Sequence, residues 1–513
     1  MVIVGGKKLT LDDFQQVLFG NAQVQLNDQA LQKVASNFDF LQKFAKEKVI
    51  YGINTGFGPM VQYKISDEDQ HQLQYNLIRS HSSGSGNPLT EELSRATMLA
   101  RLNSLMQGFS GVHPETVTLI AELLNKRISA CIFERGGVGA SGDLVQLAHL
   151  ALNLIGEGEV LIDGNLQPAA SVFRDRKVKP LDIHLREGLA LINGTSAMTG
   201  IGMVNLIQAK KVFHISLGLS AITNELMKSF DDHFSLELNQ VKHHVGQVKV
   251  AEGMRGILSD SKLVRKRPDH LYHRKIEEAV ISDKVQEYYS LRCVPQVLGP
   301  IYDTIINVQH VLESEVNSVN DNPVIDHVRE NVYHGGNFHG DYVSLEMDKL
   351  KIVITKLTIL ADRQLNYLLN DKLNQKLPPF INLGKLGLNF GIQGIQFTAV
   401  STTAENQTLS YPMYLHSIPN NNDNQDIVSM GCNAALLTKR VVDNAADVLA
   451  IQAIALMQAI DYLKCHTRLS SFAHTMYDEI RAIMPAITDD QPRYKDIQRI
   501  RQYLLSRTAP VIF

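Results

Sequence analysis

Gly136-Gly137-Val138-Gly139-Ala140-Ser141-Gly142-Asp143 is the stretch on which the reading of this chain turns. Within it, Gly137-x-Gly139-x-x-Gly142 matches a dinucleotide-binding fingerprint, in which glycines let the backbone approach a pyrophosphate at a helix N-terminus. A helical run, Leu144 to Ile155, follows, and Asp163 stands at about the distance where such folds place a ribose-binding acid. Three features oppose that reading. Glu134-Arg135 separate the glycines from Ile132-Phe133, so no buried strand is expected to feed the loop. Glu159-Val160-Leu161-Ile162 turns back at Asp163-Gly164 into Asn165-Leu166, which is a hairpin signature and not a strand of a parallel sheet. No alternating strand–helix pattern follows. The loop therefore predicts no nucleotide cofactor.

The same residues permit a different chemistry. If the Gly142 amide nitrogen attacks the Ala140 carbonyl carbon, a five-membered ring closes. Loss of water there and from Ser141 leaves a conjugated exocyclic methylene. Glycine suits the attacking position because it lacks a Cβ and tolerates the distortion. Alanine allows close approach, and serine supplies the hydroxyl that leaves. Asp143 and the free amides of the following helix are expected to set positive dipole at the ring. Taken alone, however, Ala-Ser-Gly is an ordinary loop tripeptide.

Around this loop the punctuation is helical. Thr10 with Asp13 forms a capping pair ahead of Phe14, Val17 and Leu18, and Gly20 ends that stripe. Ser66 with Asp69 opens another helix, and Thr90 a third that carries Leu93, Ala96, Ala100 and Leu105 to Gly108. Two long stretches, Ser344 to about Asn370 and Thr438 to about Leu463, hold helical apolar spacing with neither proline nor glycine. Strands are sparse, and Asn420 to Asn424 reads as a loop. The fold class is mainly α, a long central helical bundle with small β-hairpins. Residues 1–200 are expected to carry the loop chemistry and 201–513 the long-helix bundle, the two forming one intertwined catalytic unit.

Composition sets limits. The 513 residues carry a net charge of -3, which gives no field to draw the chain to nucleic acid or anionic lipid. The basic stretch from Lys262 to Lys275, with Arg265-Lys266-Arg267 and Arg274, is diluted by Asp260, Asp269 and Glu277 and reads as a solvated face. Cys131, Cys293, Cys432 and Cys465 show no metal-ligand spacing, so no metal is expected and a reducing compartment is the simpler reading. The N-terminus lacks the apolar core of a signal peptide. Val448 to Leu463 is interrupted by Gln452, Gln458 and Asp461 and is read as too short to span a membrane. The expected location is cytoplasmic.

Gly137 to Leu144, with His149 and Gly156-Glu157-Gly158 downstream, resembles the signature of the aromatic ammonia-lyase family, the histidine, phenylalanine and tyrosine ammonia-lyases with related aminomutases. The resemblance runs nearly end to end. It includes Tyr51-Gly52-Ile53-Asn54-Thr55-Gly56-Phe57-Gly58, Asn193-Gly194-Thr195, Gln286-Glu287-Tyr288-Tyr289-Ser290-Leu291-Arg292, Asp321-Asn322-Pro323, Gly335-Gly336-Asn337-Phe338-His339 and Asn424-Gln425-Asp426. It implies the fumarase/aspartase-like architecture and a 4-methylidene-imidazol-5-one built from Ala140, Ser141 and Gly142. It also implies non-oxidative deamination of an aromatic L-amino acid, in a homotetramer whose active sites draw on three subunits.

By the same resemblance, Tyr51 is the base for the β-proton, in a glycine-bearing loop able to close over substrate. Arg292 clamps the substrate carboxylate, where a planar guanidinium offers two parallel charge-assisted bonds. Asn193 and Tyr289 orient the amine and the electrophile, with Gln286 in support. Phe338 packs over the electrophile, while Glu405 and Gln425 face the pocket. His81 lies in the segment that reads the aryl end of the substrate and argues against phenylalanine. The order Ser80-His81 is closer to histidine lyases, whereas Asn424 to Ser429 and Glu287-Tyr288 follow the tyrosine and phenylalanine enzymes. The chain as a whole most resembles bacterial tyrosine ammonia-lyases, which favours tyrosine over histidine.

Overall fold

Thr10 caps the Leu11–Leu18 helix through a reciprocal capping box with Asp13, as the spacing predicts. Such local signals hold along the chain. The helix expected from Thr90 runs Glu91–Leu105, and the one expected after Ser66 begins at Gln70 and ends at His81. The two long stretches are the helices Asp341–Leu369 and Gly431–Leu463, longer at their N-terminal ends than the apolar spacing alone implies by about one turn and about two turns respectively. The computed structural model describes residues 1–46, 48–273, 275, 279–281 and 284–507. Arg274 and Glu277 of the basic stretch lie outside the described residues. In the rest of that stretch Lys262 and Lys266 are exposed, while Arg265 and Arg267 lie over the Phe230 ring and Arg267 pairs with Asp232 at 2.7 Å.

The fold is mainly α, and the chain forms two compact units, neither of which is continuous in sequence. Unit one comprises Met1–Ile207, Val308–Asp348 and Pro412–Lys439; unit two comprises Gln208–Asn307, Lys349–Tyr411 and Arg440–Phe513. The chain first crosses between them after Ile207 and then again after Asn307, Asp348, Tyr411 and Lys439. The physical reason is that helices such as Ser196–Leu226, Asp341–Leu369 and Gly431–Leu463 contribute residues to both units. A single cut cannot separate a core built from such elements.

Unit one holds all the strands among the described residues. Val2–Val4 pairs in parallel with Val24–Leu26, and Val324–Asp326 pairs antiparallel with Asn331–Tyr333. The expected hairpin forms with Ile162 opposite Asn165 across Asp163-Gly164, and Ser129–Ala130 adds a third antiparallel strand. A strand, Phe133–Arg135, does enter the glycine loop, contrary to expectation. It is partly exposed and runs antiparallel to Ser85–Pro88, so it gives the loop none of the parallel-sheet context a dinucleotide site needs.

Unit two is a helical bundle in which buried glutamines donate to partners inside the core. Gln452 donates to Gln364 at 2.7 Å, and Gln364 in turn donates to the Ser220 hydroxyl at 3.0 Å. Gln458 exchanges two bonds with the Ile487 backbone, at 2.6 and 3.0 Å. The glutamines that break the apolar run after Val448 are thus paired core residues. By length and composition alone Gly431–Leu463 passes the test for a membrane span, with a mean hydropathy of 1.4. Its most apolar window is 78% buried within the protein, as befits a core helix.

Candidate active site

The glycine loop is held from both sides within unit one. The Val138 carbonyl accepts the Met430 amide at 2.9 Å, and the Gly139 carbonyl accepts the Ser429 hydroxyl at 2.9 Å and the Gly340 amide at 3.2 Å. Ala140 is buried against Val428 and Met430. Gly142 has a φ of +73°, and a Cβ there would meet the Gly194 carbonyl oxygen at 2.1 Å. Only glycine fits. The next residue continues the contact, because the Asp143 amide donates to that same carbonyl at 2.8 Å.

The Asp143 side chain leaves the first amides of its own helix, Leu144–Leu154, uncapped. Instead Oδ2 accepts the Met198 amide at 2.8 Å, at the start of the Ser196–Leu226 helix, and Oδ1 accepts the Cys432 thiol at 3.0 Å. Burial pushes this carboxyl up to about 6, with these hydrogen bonds opposing the shift.

Ser141 is half-buried, and each of its oxygens faces an amide. Asn193 Nδ2 donates to the Ser141 carbonyl oxygen at 3.0 Å, and Gln425 Nε2 donates to the Ser141 hydroxyl at 2.9 Å. Asn193 caps the C-terminus of the Glu187–Ile192 helix. Fully buried Arg101 supports it by donating to the backbone carbonyls of Asn193, at 2.9 Å, and of Ala190. Burial pulls the Arg101 guanidinium down to about 10. The Asn193 Oδ1 atom is buried and has no partner among the described residues, so it is open to a donor from a bound molecule. Arg101 escaped the sequence reading, although an arginine inside a helix whose neighbours Leu93, Ala96 and Ala100 are core residues was a usable signal.

The Tyr51 segment touches the elements that carry both amides. Gln74 Nε2 donates to the Gly52 carbonyl at 3.2 Å, while Gln74 Oε1 accepts the Leu189 amide at 3.2 Å in the helix leading to Asn193. A Cβ on Gly58 would meet Asn421 at 2.9 Å, in the loop that ends at Gln425. Burial raises the Tyr51 phenol above its ordinary value; the Gly58 amide and the charge of Arg186 work against that rise.

His81 ends its helix with Nδ1 2.9 Å from the Leu77 carbonyl oxygen. A carbonyl only accepts, so Nδ1 carries the proton and Nε2 of the neutral ring keeps a lone pair. The segment after His81 is anchored by His149, whose Nε2 accepts the Gly84 amide at 3.0 Å. Phe338 is half-buried in the turn just before Gly340, the residue bonded to the glycine loop.

Unit two carries a second group. The Tyr289–Arg292 turn is fastened by Gln364, which donates to the Ser290 carbonyl at 2.8 Å, and by Asn224, which donates to the Leu291 carbonyl at 3.1 Å. Arg292 donates to Gln286 and lies over the Tyr289 ring, 4.7 Å from its centroid. Tyr289 itself is 71% exposed. Glu405, also in unit two, accepts from Arg440 at 3.0 Å and from Asn444 at 2.9 Å. Its charge is balanced by its helical neighbours.

Over residues 9–482 the chain matches the aromatic amino acid lyase family. The chain belongs to that family. Among its relatives, a tyrosine 2,3-aminomutase of Chondromyces crocatus is 38% identical over 508 residues, covering 98% of this chain and 96% of that protein. A histidine ammonia-lyase of Bacillus subtilis is 38% identical over 505 residues, with 98% and 96% covered. The crystal structure of a tyrosine aminomutase from Streptomyces globisporus superposes with a TM-score of 0.94 at 35% identity, covering 98% of this chain and 96% of that one.

Proposed function

We propose that this enzyme eliminates ammonia from L-tyrosine to give trans-p-coumarate, on a 4-methylidene-imidazol-5-one formed by its own residues Ala140, Ser141 and Gly142. The observation that carries the reading is the double amide contact to Ser141. Ring closure joins Gly142 N to the Ala140 carbonyl carbon, whose oxygen leaves as water; the Ser141 hydroxyl leaves as a second water. Gln425 donates to the hydroxyl that departs. Asn193 donates to the Ser141 carbonyl oxygen, which is retained and conjugated to the new methylene. The local residues fit the group, since Gly142 has no Cβ to obstruct it. The methylidene supplies an electrophilic carbon that bonds covalently to the amino acid and activates it for loss of ammonia.

The chain's own groups then act on the substrate. Asn193 Nδ2 stabilises negative charge developing on the Ser141 oxygen, in the manner of a preorganised oxyanion donor. Asn193 Oδ1 accepts from the amine, a role supported by its being buried without a partner among the described residues. Tyr51 takes the β-proton, and Arg292, spread over Tyr289 and braced by Gln286, holds the carboxylate. His81 Nε2 accepts the phenol proton of tyrosine, which phenylalanine cannot offer. The exposure of Tyr289 fits a homotetramer in which this group completes a site of another copy. The four unpaired cysteines support a cytoplasmic location.

A second reading has a specific basis, because relatives at 38 to 39% identity are named tyrosine 2,3-aminomutases. Such an enzyme would return the ammonia to the neighbouring carbon and release β-tyrosine. Incubation with tyrosine, histidine and phenylalanine, without added nicotinamide or metal and in the presence of a chelator, separates these outcomes. p-Coumarate with stoichiometric ammonia is expected. β-Tyrosine as the main product would assign the aminomutase, and faster urocanate formation the histidine lyase. A strict requirement for nicotinamide would overturn the family chemistry.

A further inference from the structure

From Lys284 to Tyr288 the chain forms neither helix nor strand, yet it leads directly into the turn that carries Tyr289 and Arg292. Its geometry is set by side chains. Lys284 Nζ donates to the Tyr367 hydroxyl at 2.9 Å and pairs with Glu287 Oε2 at 2.7 Å. That ammonium stands 4.7 Å from the centre of the Tyr288 ring and 5.0 Å from that of Tyr367, and the two rings are 5.3 Å apart. Glu287 is buried, with Arg265 3.9 Å from its other oxygen, and Arg267 donates to the Val285 carbonyl at 2.8 Å. Tyr367, also buried, lies on the Asp341–Leu369 helix three positions after Gln364, which holds the Ser290 carbonyl. One face of a single helix therefore grips the segment at two points, on either side of Gln286. Gln286 and Tyr289 are left exposed.

We propose that Lys284, Glu287 and Tyr367 are positioning residues for recognition of the substrate carboxylate, acting through Gln286 and Arg292. The inference rests on the assignment of Arg292 as the carboxylate clamp. A guanidinium makes two parallel bonds only when its plane is aligned with the carboxylate. A loop that had to become ordered as substrate arrived would lose conformational freedom at that moment, which weakens binding without touching the chemistry. Here the order is built in beforehand. The buried Glu287 charge is compensated by Lys284 and Arg265, and the ammonium is held by a carboxylate, a hydroxyl and two ring faces. Gln286, between the two ion-paired residues, is thereby set where it accepts from Arg292.

The test is a double-mutant cycle on the whole chain, with the amino acid that it turns over fastest. Tyr367→Phe removes one hydroxyl and keeps the ring. It should raise KM about three- to tenfold and leave kcat within about twofold, the pattern of lost uniform binding. Lys284→Met should raise KM further. Beside Arg292→Lys, which already lacks the two-pronged contact, Tyr367→Phe should change KM by less than about twofold. A general loosening of the fold would instead lower kcat and persist in the double variant. Unchanged KM in Tyr367→Phe, or an effect undiminished beside Arg292→Lys, overturns the proposal. Wild-type KM in Arg292→Lys alone would refute Arg292 as the clamp, and the proposal with it. If Lys284→Met fails to fold because Glu287 loses its nearer cation, Tyr367→Phe still decides the matter.

Discussion

Asn193 Nδ2 stands 3.0 Å from the Ser141 carbonyl oxygen, although the two residues lie 52 positions apart. The donor is fixed before any substrate arrives. Its helix terminus is clamped by Arg101, so little reorganisation is required when charge develops on that oxygen. Asn193→Ala should therefore lower kcat by about 10²–10³-fold with a smaller effect on KM. Steady-state kinetics on protein verified by mass to carry the cyclised loop provide the check.

The chemistry at Ser141 leaves a mass signature. Active enzyme should weigh two waters less than its sequence, with the loss confined to the peptide spanning Ala140 to Gly142. Ser141→Ala should fold without the methylidene and lose activity by orders of magnitude. Gln425→Leu removes the donor to the departing hydroxyl, 2.9 Å away, and should slow maturation so that uncyclised chains accumulate. Fully active protein of unmodified mass would refute the self-made electrophile.

Tyr51 acts as a base only when ionised, and its burial raises the phenol above the ordinary 10.0. The ionised fraction then grows with pH across the whole neutral and mildly alkaline range. Log kcat/KM should climb with pH there, and Tyr51→Phe should cost about 10²–10⁴-fold. In the variant the residual pH dependence should flatten. A slope that survives the substitution would assign the ionisation to another group.

His81 offers a lone pair at Nε2 because Nδ1 donates to Leu77. A tyrosine phenol satisfies that atom, while bound phenylalanine would cover it without a partner, at a cost of about 1–3 kcal/mol. His81→Phe should shift the kcat/KM ratio from tyrosine toward phenylalanine by roughly one to two decades while leaving the Ser141 mass signature intact. An unchanged ratio would remove His81 as the reader of the ring.

Much of the fold was legible because the signals are local. The Thr10–Asp13 capping box, the Asp163-Gly164 turn with its register and the long helices without proline or glycine arise from residues within a few positions of each other. The Ala-Ser-Gly chemistry was legible for the same reason, since the ring closes between residues two apart. The motif blocks likewise pointed to Asn193 and Gln425, both of which contact Ser141. The partners of Glu405 were not legible, because Arg440 and Asn444 reach it across 35 and 39 positions.

The sequence by itself determined a mainly α chain with a glycine loop capable of cyclising and a set of residues suited to an aromatic amino acid. Only the tertiary structure decided which atoms meet. Gln425 reaches the Ser141 hydroxyl across 284 positions, and Cys432 reaches Asp143 across 289. Asp143 turns from its own helix to the amide of Met198 for the same reason. A polar group taken out of water must find a partner, and in a packed interior that partner is whichever donor the surrounding helices bring within 3 Å or so, not the nearest one along the chain.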